Sequence, residues 1–145
     1  MKSDATHPNI QQAVPFFWVR DIEASVRFYV DLLGFAKTRQ WAPDGKLQWC
    51  LLERGAVALM LQEFSKDTRH RNPSSGKAGV GVQICFICAD AIAFWRELTE
   101  RGVSASCPFV GNGMWVTEVS DPDGYSLLFE SPTDAPEESV LGEES

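Results

Sequence analysis

The same order of secondary-structure signals occurs twice along this 145-residue chain, and the repeat constrains the fold more than any other feature. In each half an apolar strand runs into an aspartate, Asp21 or Asp90, which is a good helix N-cap. A helical segment follows and stops at a glycine, Gly34 or Gly102, a favoured residue at helix C-termini. Three strand-like segments follow each glycine. Each half is therefore predicted to form a βαβββ module of an α+β fold.

The repeat also sets the domain organisation. Both modules belong to one predicted domain, residues 13–131, because the length and the 44% apolar content suit a single ordinary core. The segment between the halves is polar and rich in Ser, Gly and basic residues, which is typical of a linker. The predicted segments are an N-terminal extension (1–12), module one (13–64), the linker (65–79), module two (80–131) and an acidic C-terminal tail (132–145).

The net charge of −7 comes mainly from the tail. Residues 132–145 hold five acidic residues and no basic one, whereas residues 13–131 carry 12 Lys and Arg against 14 Asp and Glu, a balance of −2. A body so close to neutral offers no basic field for nucleic acid, and none is predicted as a partner. The tail itself is expected to be solvated and mobile.

The chain has no apolar run of the roughly 18 residues that a membrane span needs, and its first residues lack the apolar segment of a secretory signal. A cytoplasmic location without a membrane partner is the resulting expectation. Cys85 and Cys88 resemble a redox or zinc pair in spacing, but side chains three apart on a strand point to opposite faces. All four cysteines are therefore expected to be reduced and structural.

Three segments carry a resemblance to a known superfamily: "VPFFWVRDIEASVRFYVDLLGF", "GVQICFICAD…RGV" and "DPDGYSLLFESP". They resemble the vicinal oxygen chelate superfamily, which includes glyoxalase I, extradiol dioxygenases and bleomycin-resistance proteins, and they are most similar to the bleomycin-resistance-like members. The resemblance implies two modules that form a curved mixed sheet, a cup, with helices outside. It also implies a homodimer, since many relatives complete their groove across two chains.

In metal-using relatives the cup holds a divalent ion. The resemblance places the ligand positions at Val14, Met60, Gln83 and Leu128. Of these only Gln83 offers an oxygen donor that suits a hard cation, so neither metal nor other cofactor is predicted. The alternative is a metal site formed by Gln62, Gln83 and Glu130, in which two of the ligands lie two residues further along their strands than Met60 and Leu128.

Side-chain alternation then predicts what lines the implied cup: apolar and aromatic walls with a few polar groups, as small organic ligands require. Packing between sheets is the competing role for each aromatic residue. Glu130 is also the one candidate general base, and no other catalytic residue is predicted. The predicted ligand-binding residues are Phe16, Trp18, Trp41, Trp49, Met60, Gln62, Gln83, Cys85, Trp115, Leu128 and Glu130.

These features predict a metal-free protein that binds an aromatic or amphipathic small molecule in an apolar cup, rather than an enzyme. Two alternatives stay open. One is a metal-dependent lyase, isomerase or dioxygenase with an altered ligand set. The other is a catalytically silent interaction domain.

Overall fold

The computed structural model describes residues 9–64 and 78–142, and it confirms the predicted α+β class with two βαβββ modules. The predicted linker lies outside the described residues except for 78 and 79. Module one contains β1 (Phe16–Val19), α1 (Ile22–Arg27), which continues into a π-helical turn (Phe28–Leu32), β2 (Ala36–Trp41), β3 (Trp49–Arg54) and β4 (Val57–Glu63). Module two contains β5 (Gln83–Ile87), α2 (Ala91–Glu100), β6 (Phe109–Gly111), β7 (Met114–Ser120) and β8 (Ser126–Pro132).

Each module folds into one four-stranded mixed sheet. The strand orders are β1-β4-β3-β2 and β5-β8-β7-β6. The first strand of each module lies parallel to the last, and the other neighbours are antiparallel. This topology follows from the chain order, because the helix supplies the long crossover that a parallel pair needs and short turns join the antiparallel strands. Among the described residues, no helix is long and apolar enough to cross a membrane.

The helices begin where the sequence predicts. The carboxylates of Asp21 and Asp90 accept hydrogen bonds from the backbone N–H groups of Ala24 (3.1 Å) and Ala93 (3.0 Å), which caps the two helices. Gly34 has φ +81°, a left-handed conformation that an L-residue with a side chain rarely adopts, so glycine ends the first helical segment.

Alternate residues along the strands form the core. Phe17 and Val19 on β1, Leu61 on β4 and Leu127 and Phe129 on β8 are all buried and belong to one cluster that includes both modules. The helices also pack on this side of the sheets. The opposite side of each sheet, which points away from the shared core, is called its open face below.

The turn between β7 and β8 joins the two modules. The Tyr29 hydroxyl donates a buried 2.7 Å hydrogen bond to the Asp121 carboxylate, and Asp123 accepts from the backbone N–H of Arg20 at 3.0 Å. The Tyr125 ring stacks on Phe17 with centroids 4.0 Å apart. These contacts explain why Asp121 and Asp123 are buried although a turn is normally solvated.

The tail differs from the expectation of a mobile end. Val140 forms a β-bridge to Phe109, and the Glu137 carboxylate accepts hydrogen bonds from the backbone N–H groups of Asn112 (2.6 Å) and Gly113 (2.9 Å). The described part of the tail therefore covers the edge strand β6 and satisfies backbone groups that an edge leaves unpaired.

The cysteines follow the prediction only in part. All four thiols are free; Cys85 lies on β5, and Cys88 directly follows the end of that strand. Cys50 is buried, but Cys85 and Cys107 are exposed. These two are therefore not the buried structural residues that were expected, and alternation places Cys85 on an open face.

The first prediction concerns the joint between the modules. Tyr29→Phe removes the one side-chain donor that the described residues provide to the buried Asp121 carboxylate, and it should lower the free energy of unfolding by about 1–3 kcal/mol. Chemical denaturation monitored by tryptophan fluorescence measures this. Tyr125→Phe is the matched control, since it removes a part-buried hydroxyl bonded only to the Trp18 backbone, and its effect should be smaller. Equal stability of Tyr29→Phe and wild type would contradict the assigned role of the bond.

Candidate functional site

Aromatic side chains form a row across the open face of the first sheet. The strand register places Trp18 opposite Gln62, Gln62 opposite Trp49, and Trp49 opposite Trp41. A parallel row runs from Phe16 through Met60 to Leu51. Phe16 is 44% exposed and Trp41 is 56% exposed. This face is therefore a broad, accessible aromatic surface.

A cavity of about 480 Å³ lies on the open face of the second sheet. Leu128 lies at its centre, opposite Cys85 on one neighbouring strand and Glu118 on the other. Ile87, Glu130 and Val116 form the next row of the register. The residues that line the cavity all belong to module two, namely Gln83, Ser106, Phe109, Gly111, Val116, Glu118, Leu128 and Glu130.

A hydrogen-bonded polar group occupies one side of this cavity. The Glu118 carboxylate accepts from the Ser126 hydroxyl at 2.9 Å and from the Gln83 amide at 3.3 Å. The same amide lies 3.3 Å from the Ser126 oxygen. Because Gln83 and Ser126 hold the carboxylate in place, Glu118 presents a fixed acceptor beside the apolar Leu128.

Cys85 and Glu130 form a second polar contact in the cavity region. The Cys85 thiol donates a hydrogen bond to the Glu130 carboxylate. Desolvation of the thiol is the main cause that raises its pKa to about 11, and the hydrogen bond to Glu130 and the negative charge of Glu130 add to the effect. Cys85 is therefore a protonated thiol at neutral pH and a poor nucleophile.

The residues at the family's metal positions do not fit a divalent ion. Val14, Met60 and Leu128 offer no hard donor, so of the four positions only Gln83, through its amide oxygen, suits a hard divalent ion, and a single ligand does not hold one. Of the alternative set, Gln62 lies on the first sheet, whereas Gln83 and Glu130 lie on the second. Within residues 9–64 and 78–142, no three His, Cys, Asp or Glu side chains come together as a metal site would require.

The structure distributes the predicted ligand-binding residues over two separate open faces. Six share the face of the first sheet: Phe16, Trp18, Trp41, Trp49, Met60 and Gln62. Four share that of the second: Gln83, Cys85, Leu128 and Glu130. The cavity on the second sheet is lined by Gln83, Leu128 and Glu130 of the second group and by none of the first.

Trp115 differs from the prediction. It pairs with Ser131 and shares the face of the buried residues Thr117 and Val119, so it lies on the side that carries the helices. The segment "MWVTEVS" is a strand as expected, but apolar residues occur on both of its faces, and sequence alone does not show which face is buried.

Leu51, Phe109 and Glu118 belong to the open faces but were missed from the sequence. Leu51 and Glu118 lie on antiparallel strands, where the opposing residue is known only once the register is known. Phe109 lies on β6, which has only three residues and therefore gives a weak strand signal in the sequence. Alternation from Trp49 would have found Leu51, because the two are separated by one residue on β3.

Comparison with known proteins identifies the family. The model of the Glyoxalase/Bleomycin resistance protein/Dioxygenase superfamily matches residues 9–129. The chain belongs to this superfamily. No curated protein is similar enough to match this sequence.

Solved structures of superfamily-like proteins share the fold. TnmS3, an antibiotic binding protein from Streptomyces sp. CB03234, is 22% identical with a TM-score of 0.64, covering 88% of this chain and 100% of its own. Lactoylglutathione lyase from Agrobacterium tumefaciens is 19% identical with a TM-score of 0.63, covering 86% and 95%. A superfamily member from Sphaerobacter thermophilus DSM 20745 is 26% identical with a TM-score of 0.61, covering 83% and 98%.

The second prediction tests the contact between Cys85 and Glu130. Glu130→Gln removes the nearby negative charge, so the pKa of the Cys85 thiol should fall and its alkylation should accelerate between about twofold and tenfold. Peptide mass spectrometry after iodoacetamide treatment at pH 8 measures the rate, with the exposed Cys107 as internal standard. Glu118→Gln is the matched control, since it makes the same charge change on the same face but bonds Gln83 and Ser126. An unchanged Cys85 rate in Glu130→Gln would contradict the assignment.

Proposed function

We propose that this protein is a metal-free binding protein for an aromatic or amphipathic small molecule, which it holds against the open faces of its sheets. The observation that carries the proposal is the row of Trp18, Trp49 and Trp41 across an accessible sheet face. Tryptophan is costly to expose to water, and three indoles on one face form a surface on which a planar ring can stack. The similar fold of an antibiotic binding protein, TnmS3, adds support.

The second sheet determines which polar groups a ligand would need. Its cavity combines the apolar Leu128 with the carboxylates of Glu118 and Glu130, which are hydrogen-bond acceptors. A ligand that covers both kinds of surface therefore needs an apolar ring and at least one hydrogen-bond donor. That combination is an amphipathic molecule.

We also propose that two copies of the chain complete the site as a homodimer. Each open face alone leaves one side of a ligand in water, and each exposes apolar groups such as Phe16 and Ile87, the latter 67% exposed. A second copy that lays its aromatic face over the cavity of the first would bury these groups and enclose the ligand. The cavity volume of about 480 Å³ lies within the range of small-molecule sites.

A metal-dependent lyase, isomerase or dioxygenase is the less favoured function. The fold is shared with lactoylglutathione lyase, but the residues at the metal positions do not suit the ion that such chemistry needs. A silent interaction domain is disfavoured by the open cavity on the second sheet. The four free thiols suit a reducing compartment, and we infer a cytoplasmic location.

The third prediction tests ligand binding with acridine, a planar amphipathic heterocycle. Acridine should quench the tryptophan emission of the wild type in a saturable way. Trp41→Ala removes an exposed stacking surface and should weaken the binding about fivefold, since an aromatic contact contributes on the order of 1 kcal/mol. Fluorescence titration at pH 7.5 provides both dissociation constants.

Two controls accompany this titration. Trp41→Phe keeps a ring at the same position and should retain most of the affinity. Treatment with a chelator should leave the affinity unchanged if no metal takes part, whereas loss of binding after chelation, with recovery on adding zinc or manganese, would favour the metal-dependent alternative. Equal affinities of Trp41→Ala and the wild type would contradict the assigned surface.

The fourth prediction concerns the dimer. Light scattering at micromolar concentration should show two chains per particle, and Phe16→Asp should convert them to monomers, because a carboxylate would be buried in an apolar contact. Val57→Asp is the control, since Val57 is also exposed but lies outside the open faces. A monomeric wild type would refute the shared site and place ligand binding within one chain.

A further inference from the structure

A second cavity, of about 370 Å³, lies at the junction of the two modules. Of its lining residues only Ile87 belongs to an open face. The others come from the segment between the first helix and β2, from the adjacent ends of β3 and β4, from the β5–α2 connection, from α2 and from the core side of β5 and β8. It is therefore separate from the proposed ligand site. Its volume is large enough for a compound with one aromatic ring.

Four phenylalanine rings form its apolar wall. Phe86 stacks on Phe129 with centroids 5.1 Å apart, Phe94 tilts against Phe129 at 4.8 Å, and Phe35 meets Phe86 edge-on at 6.3 Å. Phe35 and Phe129 are buried. The rings hold one another in fixed positions, so the wall is formed before any ligand binds.

Arg54 is held at the edge of this wall. Its Nη1 donates a 2.5 Å hydrogen bond to the Leu33 carbonyl, and its guanidinium lies over the Phe94 ring at 5.2 Å. A Cβ at Gly34 would lie 2.7 Å from the same Nη1, so the glycine leaves room for the guanidinium. The bond to Leu33 uses one of the five N–H groups of the Arg54 guanidinium. Other N–H groups of this planar guanidinium can donate to a carboxylate.

The charges around the cavity distinguish Arg54 from its neighbours. Asp90 also lines the cavity, but its carboxylate caps α2, and Glu97 is ion-paired with Arg101 at 3.5 Å. Within the described residues Arg54 has no carboxylate within ion-pair distance. A ligand carboxylate would supply the missing partner while its ring packs on the phenylalanines.

We propose that this cavity between the modules is a second binding site, for a small aromatic monocarboxylate whose carboxylate pairs with Arg54. The ligand would contact Phe35 from module one and Phe86 and Phe94 from module two. Since it binds both modules in their folded arrangement, it also stabilises the junction between them.

Isothermal titration calorimetry with three matched probes tests the proposal: 3-phenylpropionate, 3-phenylpropanamide and 3-phenylpropylamine. The acid should bind about tenfold more tightly than the amide, as expected for one charge-assisted pair, and the amine should bind most weakly. Absence of binding by the acid overturns the site. Equal affinity of acid and amide, or preference for the amine, overturns the role of Arg54.

Variants locate the binding. Ala93→Trp places an indole in the cavity from an exposed helix position and should abolish binding of the acid, whereas Thr99→Trp adds the same side chain outside the cavity and should not. Arg54→Lys keeps the charge but loses the fork, and should weaken acid binding severalfold without changing amide binding. Circular dichroism checks that each variant is folded. Binding of the acid by Ala93→Trp with wild-type affinity would overturn the location, and acridine binding should be the same in all three variants.

Discussion

A buried carboxylate at the β7–β8 turn joins the two halves of the molecule. Asp121 accepts hydrogen bonds from the Tyr29 hydroxyl and from the backbone N–H groups of Asp123 and Tyr125. Burial raises the pKa of both Tyr29 and Asp121, because it disfavours their charged forms. Burying these two polar groups costs free energy, and the hydrogen bonds offset that cost. Gly79 lies against the same turn, where a Cβ would come within 2.3 Å of the Tyr125 nitrogen. The turn therefore fixes module two against β1 and α1.

The contacts at this turn also decide which sheet faces lie outside the core. Because they draw Phe17, Leu127 and Phe129 into one core, the opposite faces of both sheets point away from it. The aromatic row of Trp18, Trp49 and Trp41 and the carboxylate-bearing cavity around Leu128 are consequences of the same alternation that buries the core. The core and the recognition surfaces are thus two sides of the same strands, and a shift of register by one residue would exchange them.

The sequence predicted the fold more fully than the site, for a physical reason. The order of strands, helices and turns can be predicted from short segments, because the residues that begin and end the helices act through local contacts. These residues are Asp21, Gly34, Asp90 and Gly102. The resemblance implied that Met60 and Leu128 line the cup, and alternation added Phe16; all three lie on open faces. Three features depend on pairing between distant strands: the sheet face on which Trp115 lies, the neighbour of Leu128 on β7, and the packing of the tail on β6. Local signals contain no information on such pairing.

Leu128 shows how a shared scaffold supports a different chemistry. A glutamate at this position would face Cys85 and Glu118 across the second sheet, close to Glu130 on the same strand. Without a cation, three carboxylates on one sheet face would repel one another, and at least one would take up a proton. With leucine, the two remaining carboxylates each keep a hydrogen-bond donor, Cys85 for Glu130 and Ser126 for Glu118. Leucine therefore avoids this repulsion, and it leaves the two carboxylate acceptors beside an apolar side chain.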